Sequence, residues 1–231
     1  MRRLIFLALI GIGGFALLIG LGVWQLQRLE WKRGILNEIA ARMDTTLPAL
    51  PEAPEEARDE YRQLRLQGVI GPGELHVLTS GPQGPGFRII APLELPDGRR
   101  VLLDRGYVPE RDKDRPRLTG PVEVTGNLLW PDDVTDYTPA PDRARNIWFS
   151  RAVGPMAAAL DTEPVLVVAR GPTDPGITPM PVSPGIRNDH LQYAITWFAL
   201  AAGWAGMSLL FWQRSRRRGA AKALESPARP D

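Results

Sequence analysis

The chain has 231 residues, with 28 basic and 26 acidic side chains and no cysteine. The absence of cysteine excludes disulfides and thiolate-bound copper or zinc. The basic excess is confined to the ends, because residues 27–187 carry a net charge of −3 while residues 1–26 and 213–231 together carry +6. The overall positive charge therefore reflects a partition along the chain and does not indicate nucleic-acid binding.

Two uncharged segments near the ends are long enough to cross a membrane. Residues 4–24 and 191–212 form runs of 21 and 22, and about 20 helical residues span a hydrocarbon core about 30 Å thick. Arg2 and Arg3 precede the first run, and a basic cluster follows the second. Because positive residues stay on the cytoplasmic side, we expect both termini there and the intervening chain outside. The first run exceeds the apolar core of a signal peptide, so we expect it to be retained.

The sequence pattern divides the chain into five segments. Past the first span, apolar residues recur at helical spacing as far as Met43, and three prolines follow between Thr45 and Asp59, which predicts an amphipathic helix and then a linker. The segments are a cytoplasmic tip and first transmembrane helix (1–26), the amphipathic helix and linker (27–60), a periplasmic β-rich domain (61–187), a second transmembrane helix (188–213) and a basic cytoplasmic tail (214–231).

Between the spans, short β-like runs are separated by glycine and proline. Apolar and polar residues alternate at 64–68 and 122–126, which is the pattern of half-buried strands. The segment 96–98 is typical of a hairpin turn, and 152–161 has a helical pattern. We therefore predict an α+β membrane protein in which two transmembrane helices flank an antiparallel barrel or sandwich with one helix. The predicted strands are 61–69, 74–78, 87–95, 100–108, 122–129 and 165–169.

The second apolar segment is preceded directly by His190, one of two histidines in the chain. On a helix, His190, Tyr193 and Trp197 share one face with Ala194 beside them, and Trp24 ends the first span at the same level. A neutral imidazole is an established axial ligand of haem iron, so His190 is a candidate metal or haem ligand. The alternative is that these rings lie at the membrane interface only because they are amphipathic.

Two further features of the spans bear on such a site. Arg28 and Arg187 lie just outside the apolar segments, where they either meet haem propionates or extend along the lipid boundary. Small residues four apart predict close packing of the two helices, which would form the wall of an apolar slot. These pairs are Ala16 with Gly20, Ala199 with Gly203, and Ala202 with Gly206.

Four short motifs follow one another in the chain. They comprise Gly22, Trp24, Gln25, Arg28, Leu29, Trp31 and Lys32; Gly86, Phe87, Pro92 and Leu93; Arg105, Gly106, Tyr107, Val108 and Pro109; and Asn188, His190, Leu191, Tyr193, Ala194, Thr196, Trp197 and Phe198. In these motifs the chain resembles the surfeit locus protein 1 family, the membrane-bound assembly factors of haem-copper cytochrome oxidase. The resemblance covers almost the full length.

The resemblance implies a function and a set of partners. A bacterial member would bind haem a, with haem b or haem o as alternatives, and aid its insertion into cytochrome c oxidase subunit I, with haem a synthase as a second candidate partner. It would lie in lipid of the bacterial inner membrane, and the preference for arginine over lysine also favours bacteria. His190 would be the iron ligand, and Tyr193, Trp197, Trp24, Arg28 and Arg187 would line the cofactor.

Three residues depart from the family pattern. Asp104 stands where Asn or a similar residue is expected, Tyr107 where Trp is common, and Asp189 where a second Asn is common. The charge of Asp189 beside His190 favours the imidazolium form and so weakly opposes metal ligation. In the middle segment, Arg105 to Tyr107 either contact a partner or cofactor or mark a β-bulge at Gly106.

Two other functional classes compete with the haem carrier. A cofactor-free scaffold or chaperone would stabilise apo-subunit I through the same spans and domain. An enzyme would need a catalytic set, and neither a Ser-His-Asp nor a Cys-His arrangement is recognisable, so we expect no enzymatic activity. His76 lies in a predicted strand, where a lone histidine is usually a surface or hydrogen-bonded residue.

Overall fold

The computed structural model describes residues 2–183 and 188–224. The backbone divides into a helical unit, Met1–Asn37 with Gly185–Asp231, and a middle unit, Glu38–Pro184. Arg187 and residues 225–231 of the predicted tail lie outside the described residues. The elements in chain order are α1 (Arg2–Asp44), β1 (Thr46–Leu47), α2 (Glu56–Asp59), β2 (Gln63–Ile70), β3 (Leu75–Gly81), β4 (Gly84–Glu94), β5 (Arg100–Pro109), β6 (Gly120–Leu129), β7 (Ile147–Trp148), α3 (Val153–Leu160), β8 (Leu166–Ala169) and α4 (His190–Leu224).

The helical unit contains two helices that are long and apolar enough to cross a membrane. The unbroken α1 continues through the amphipathic segment as far as Asp44, as the spacing predicts. The two helices run antiparallel, because the early residue Gly11 accepts a hydrogen bond from Nε1 of the late residue Trp204 at 3.0 Å, whereas Gly22 packs against Phe198 near the start of α4. Within this unit, the start of α1 and the end of α4 therefore lie at the same end of the helix pair.

Glycines on α1 make room for aromatic rings of α4. A Cβ atom added at Gly14 would lie 2.5 Å from the Trp204 ring, and one added at Gly22 would lie 2.6 Å from the Phe198 ring. Ala194 and Ala201 on α4 are buried. Gly14 and Gly22 are eight residues apart, and Ala194, Phe198, Ala201 and Trp204 follow each other at three or four, so each set lies on one face of its helix.

The small-residue pairs predicted from sequence are wrong in detail. Ala16, Ala199 and Ala202 are exposed, and a Cβ atom added at Gly20 or Gly203 would meet nothing within 4 Å. Glycine and alanine occur all around both helices, so their four-residue spacing does not identify the contact face. The helices pack closely, but through other small residues.

In the described part of the middle unit, eight strands form one sheet in the order β1-β2-β6-β8-β5-β4-β3-β7. Because β2 also pairs with β4, hydrogen bonding runs in a closed circuit through β2, β6, β8, β5 and β4. The six predicted strands and the predicted helix all form, each to within three residues at either end. The predicted class, two terminal apolar helices flanking a β-rich domain, is confirmed.

The sheet is mainly antiparallel, but the pairings β1–β2, β3–β7 and β5–β8 are parallel. Strand β8 reaches β5 in parallel after a long connection that contains α3, which is the crossover that parallel neighbours require. Strands β1 and β7 have two residues each, too few for an alternating pattern. Strand β1 and helix α2 also show that the proline-rich segment contains short regular elements.

Apolar residues cover both sides of β5. Val101 and Leu103 belong to one buried cluster, and Leu102 between them belongs to another, to which α3 contributes Met156. Full burial of such a side chain stabilises a fold by about 1.5–3 kcal/mol. This double coverage explains why three successive residues of β5, from Val101 to Leu103, are all apolar.

The pairing of β4 with β5 contains a bulge at Arg105 and Gly106. Arg88 pairs with Tyr107 and Ile90 with Asp104, so β5 has one extra residue opposite Ile89. Gly106 has φ +116°, and a Cβ atom there would lie 2.3 Å from the Thr178 carbonyl oxygen. The bulge interpretation of this motif is therefore confirmed.

The Asp104 carboxylate stabilises the bulge. Its Oδ1 accepts the Gly106 N–H at 3.0 Å, and its Oδ2 accepts Arg88 Nη1 at 2.5 Å. Burial raises the pKa of the Asp104 carboxyl, while the Arg88 guanidinium opposes that rise. An aspartate is thus accommodated at this position because Arg88 of the neighbouring strand β4 reaches its carboxylate.

Candidate functional site

His190 meets a glutamine from the other helix of the helical unit. Its Nδ1 atom lies 2.7 Å from Gln25 Oε1, and the two residues are 165 positions apart in the chain. An amide oxygen only accepts, so with this amide orientation His190 donates from Nδ1. The neutral ring then keeps its lone pair on Nε2, the form in which an imidazole ligates a metal.

The helix ends and their packing bring this pair together. Helix α4 begins at His190, and the backbone N–H of Tyr193 donates to the Asp189 carbonyl at 3.2 Å. One turn later Ala194 is buried, and Gly22 admits the Phe198 ring against α1. The small residues thus bring the helices close enough for a glutamine side chain to reach the imidazole.

The other predicted site residues are placed less tightly. Tyr193 and Trp24 are 57% and 53% exposed, and Trp197 is half-buried. The guanidinium of Arg28 lies 3.8 Å from the centre of the Trp31 ring. Their common site with His190 therefore stays a prediction. The polar contact described for His190 is with Gln25.

Gln25 is the residue that sequence reasoning missed. It appears in the first-span motif, but no role follows from its position alone. Its spacing could have indicated it, because Gly22, Gln25 and Leu29 follow each other at three and four residues, as on one helix face, and all three are buried. A buried amide on an otherwise apolar helix face needs a hydrogen-bond partner.

The helical unit also contains an apolar cavity of about 330 Å³, which lies away from His190. Its wall includes Gly11, Phe15, Ser208 and Trp212. Gly11 precedes Gln25 by 14 residues, roughly 21 Å along a helix. An apolar slot beside His190 therefore stays a prediction.

Within the residues that the structure describes, no three His, Asp or Glu side chains come close enough to hold a metal ion. The candidate donor of the helical unit is thus one imidazole. The side-chain oxygen of the neighbouring Asn188 is buried and has no hydrogen-bond partner among the described residues. This end of the helix pair therefore combines an oriented imidazole with an unsatisfied acceptor.

Comparison with known proteins identifies the family. The model of the SURF1 family matches residues 13–202. This chain belongs to the SURF1 family. The match begins inside α1 and ends inside α4, so it includes Gln25, the whole middle unit and His190.

Curated members of the SURF1 family cover most of the chain. Surfeit locus protein 1 of Xenopus tropicalis is 30% identical over an alignment of 211 residues, and the match covers 79% of this chain and 68% of that protein. Its counterpart from Takifugu rubripes is 30% identical over 214 residues, 79% and 87% of the two chains. The human protein of the same name is 28% identical over 212 residues, 79% and 70%. The resemblance found in the four motifs is thus confirmed.

Proposed function

We propose that this chain is a non-enzymatic assembly factor of haem-copper cytochrome oxidase, which binds haem a at His190 and aids its insertion into subunit I. Membership in the SURF1 family supports the assembly role. The contact between His190 and Gln25 carries the haem-binding part of the proposal, because it fixes which imidazole nitrogen is free to act as a donor.

The surroundings of His190 suit a cargo that must leave again. One nitrogen ligand without a second ligand from the same protein forms a bond that exchange with a partner can break. The exposed rings of Trp24 and Tyr193 offer apolar surface to a planar group. Arg28 is the candidate partner of a propionate. Haem b or haem o would meet the same donor.

A cofactor-free scaffold is the second candidate function. The position of the apolar cavity, at the other end of the helix pair from His190, favours it. In that case the aromatic rings belong to the membrane interface, and the chain stabilises apo-subunit I by direct contact. Both functions predict loss of oxidase when the chain is absent, so haem occupancy is what separates them.

We further propose a bacterial inner membrane as the location, with both termini in the cytoplasm and the middle unit in the periplasm. The basic clusters at the two chain ends support this orientation. Membrane lipid surrounds the helices, and haem a synthase is a candidate donor of the cargo. In intact spheroplasts, added protease should cleave the middle unit; complete protection of that unit would contradict the orientation.

The visible absorption spectrum tests the function. We expect the detergent-solubilised protein, co-produced with the haem a biosynthetic enzymes, to show a Soret band and a red-shifted α band. A colourless protein that still supports oxidase assembly would favour the scaffold. Co-production with haem b enzymes alone tests the preference between haem types.

We expect Gln25→Leu to weaken haem retention by about 10- to 100-fold, the usual effect of removing the hydrogen-bond partner of a metal-ligating histidine. The matched variant Gln25→Glu keeps an acceptor for His190 Nδ1 and should retain haem. The measurements are haem occupancy and the positions of the absorption bands that respond to the axial ligand. Equal occupancy in the leucine variant and the wild type would show that this hydrogen bond does not orient the ligand.

A further inference from the structure

The middle unit contains a polar cavity of about 600 Å³, separate from the site at His190. This volume is in the range of small-molecule sites. Three arginines and two carboxylates line it, together with His76 and Asn146. The arginines are Arg105, Arg115 and Arg117, and the carboxylates are Glu74 and Asp114. The balance of charge on the wall is therefore positive.

Arg105 contributes a buried charge that its carboxylate neighbour satisfies poorly. The residue is 1% exposed and occupies the bulge of β5, and bulges redirect side chains in this way. The nearest carboxylate, Asp174, lies 3.7 Å from Arg105 Nη2. Asp174 already accepts backbone N–H groups from Leu118 and Gly176, each at 2.7 Å.

Burial lowers the pKa of Arg105, because desolvation disfavours its charged form. The guanidinium donates instead to neutral oxygens, those of the Thr173 hydroxyl at 3.1 Å and the Leu118 carbonyl at 2.9 Å. A buried charge is normally paired with an opposite charge. An anion in the cavity that Arg105 lines would add a second charge partner to the long contact with Asp174.

The carboxylate of Glu74 is already used by two other groups in the cavity wall. Its Oε1 atom accepts from Arg117 Nη1 and lies 2.7 Å from His76 Nε2. Arg117 also donates to the carbonyls of Asp112 and Lys113, both at 2.8 Å. The Oε1 atom of Glu74 is therefore already shared, and Glu74 favours the charged form of Arg105 only as a neighbouring charge.

His76 shows which kind of anion would fit. It is 5% exposed, and its Nδ1 has no hydrogen-bond partner among the described residues. Because Nε2 faces a carboxylate that only accepts, Nε2 carries the proton, and Nδ1 of the neutral ring is an unsatisfied acceptor. A ligand with an O–H group as well as a negative charge would satisfy Nδ1. The expectation that His76 is a surface or hydrogen-bonded residue therefore holds for Nε2 but not for Nδ1.

We propose that this cavity binds a small oxyanion that carries a hydroxyl hydrogen, such as a hydrogen phosphate group or a hydroxy acid. Arg105 and the exposed Arg115 balance its charge, and His76 Nδ1 accepts its O–H. The site is independent of haem and lies wholly within the middle unit.

Calorimetric titration of the full chain in detergent at neutral pH tests this proposal with three probes. Inorganic phosphate and citrate carry hydroxyl hydrogens, whereas sulfate carries none. We expect phosphate or citrate to bind with one site per chain, and the tighter of the two identifies the anion class. Sulfate should bind at least about tenfold more weakly, the effect of an unsatisfied buried acceptor.

Three variants locate the binding site. Arg115→Gln changes an exposed side chain, so the fold should persist while affinity falls by about tenfold. Arg65→Gln is the matched control on β2, outside this cavity, and should bind normally. His76→Phe should remove the preference for phosphate over sulfate. Absence of binding for both phosphate and citrate overturns the proposal, as does binding that Arg115→Gln and His76→Phe leave unchanged.

Discussion

The His190→Ala variant should be purified without haem, with an affinity loss greater than the roughly 100-fold that removal of a hydrogen-bond partner alone can cause. The reason is that the helical unit offers one oriented imidazole and, among its described residues, no second histidine that could replace it. The variant should stay inserted and folded, since His190 is only half-buried at the first turn of α4. Haem occupancy measured from the Soret absorbance, relative to protein, checks this.

Chemical rescue separates loss of the ligand from loss of structure. In His190→Gly, added imidazole should fill the space of the missing ring and restore the haem spectrum. The His76→Phe variant removes the other histidine of the chain and should keep its haem. If the His190→Ala variant kept its full complement of haem, His190 would not be the ligand. Its position would then reflect only the preference of amphipathic rings for the membrane interface.

Gly106→Ala is expected to destabilise the middle unit by about 3 kcal/mol or more, because strained backbone conformations cost roughly 1–3 kcal/mol before any clash is added. Gly106 has φ +116°, and the new Cβ would lie 2.3 Å from the Thr178 carbonyl oxygen. That carbonyl accepts the Tyr107 N–H at 2.7 Å. Relief of the clash would therefore break a backbone hydrogen bond next to the bulge.

Thermal unfolding followed by circular dichroism measures this effect, and a loss of that size should lower the midpoint by about 6–12 °C. Gly98→Ala is the matched control, since Gly98 also has positive φ, +84°, but open space around its Cβ position. It should cost only about 1 kcal/mol. Equal shifts in the two variants would mean that the backbone contact at Thr178 adds nothing.

The strands of the middle unit could be predicted because each carries its own local pattern. The alternation at Leu64 and Leu66, both buried in β2, needs no knowledge of the partner strand. The pairing of strands could not be predicted in the same way. Leu102 pairs with Leu166, and no local sequence pattern indicates that these two segments are neighbours. The parallel pairings and the two-residue strands were missed for this reason.

The four motifs of the sequence form two contact pairs in the structure. In the middle unit, Gly86 of one motif pairs with Pro109 of another across β4 and β5. In the helical unit, Gln25 of the first motif meets His190 of the last. Sequence reasoning identified each motif, but not which residue of one touches which residue of the other, because that depends on tertiary packing.

The contact between Gln25 and His190 also determines when the site can exist during synthesis. Gln25 leaves the ribosome early, whereas its partner is 165 residues further along the chain. The whole middle unit and the start of α4 must be synthesised before the imidazole can be oriented. A nascent chain, or one truncated before α4, therefore lacks the contact between Gln25 and His190.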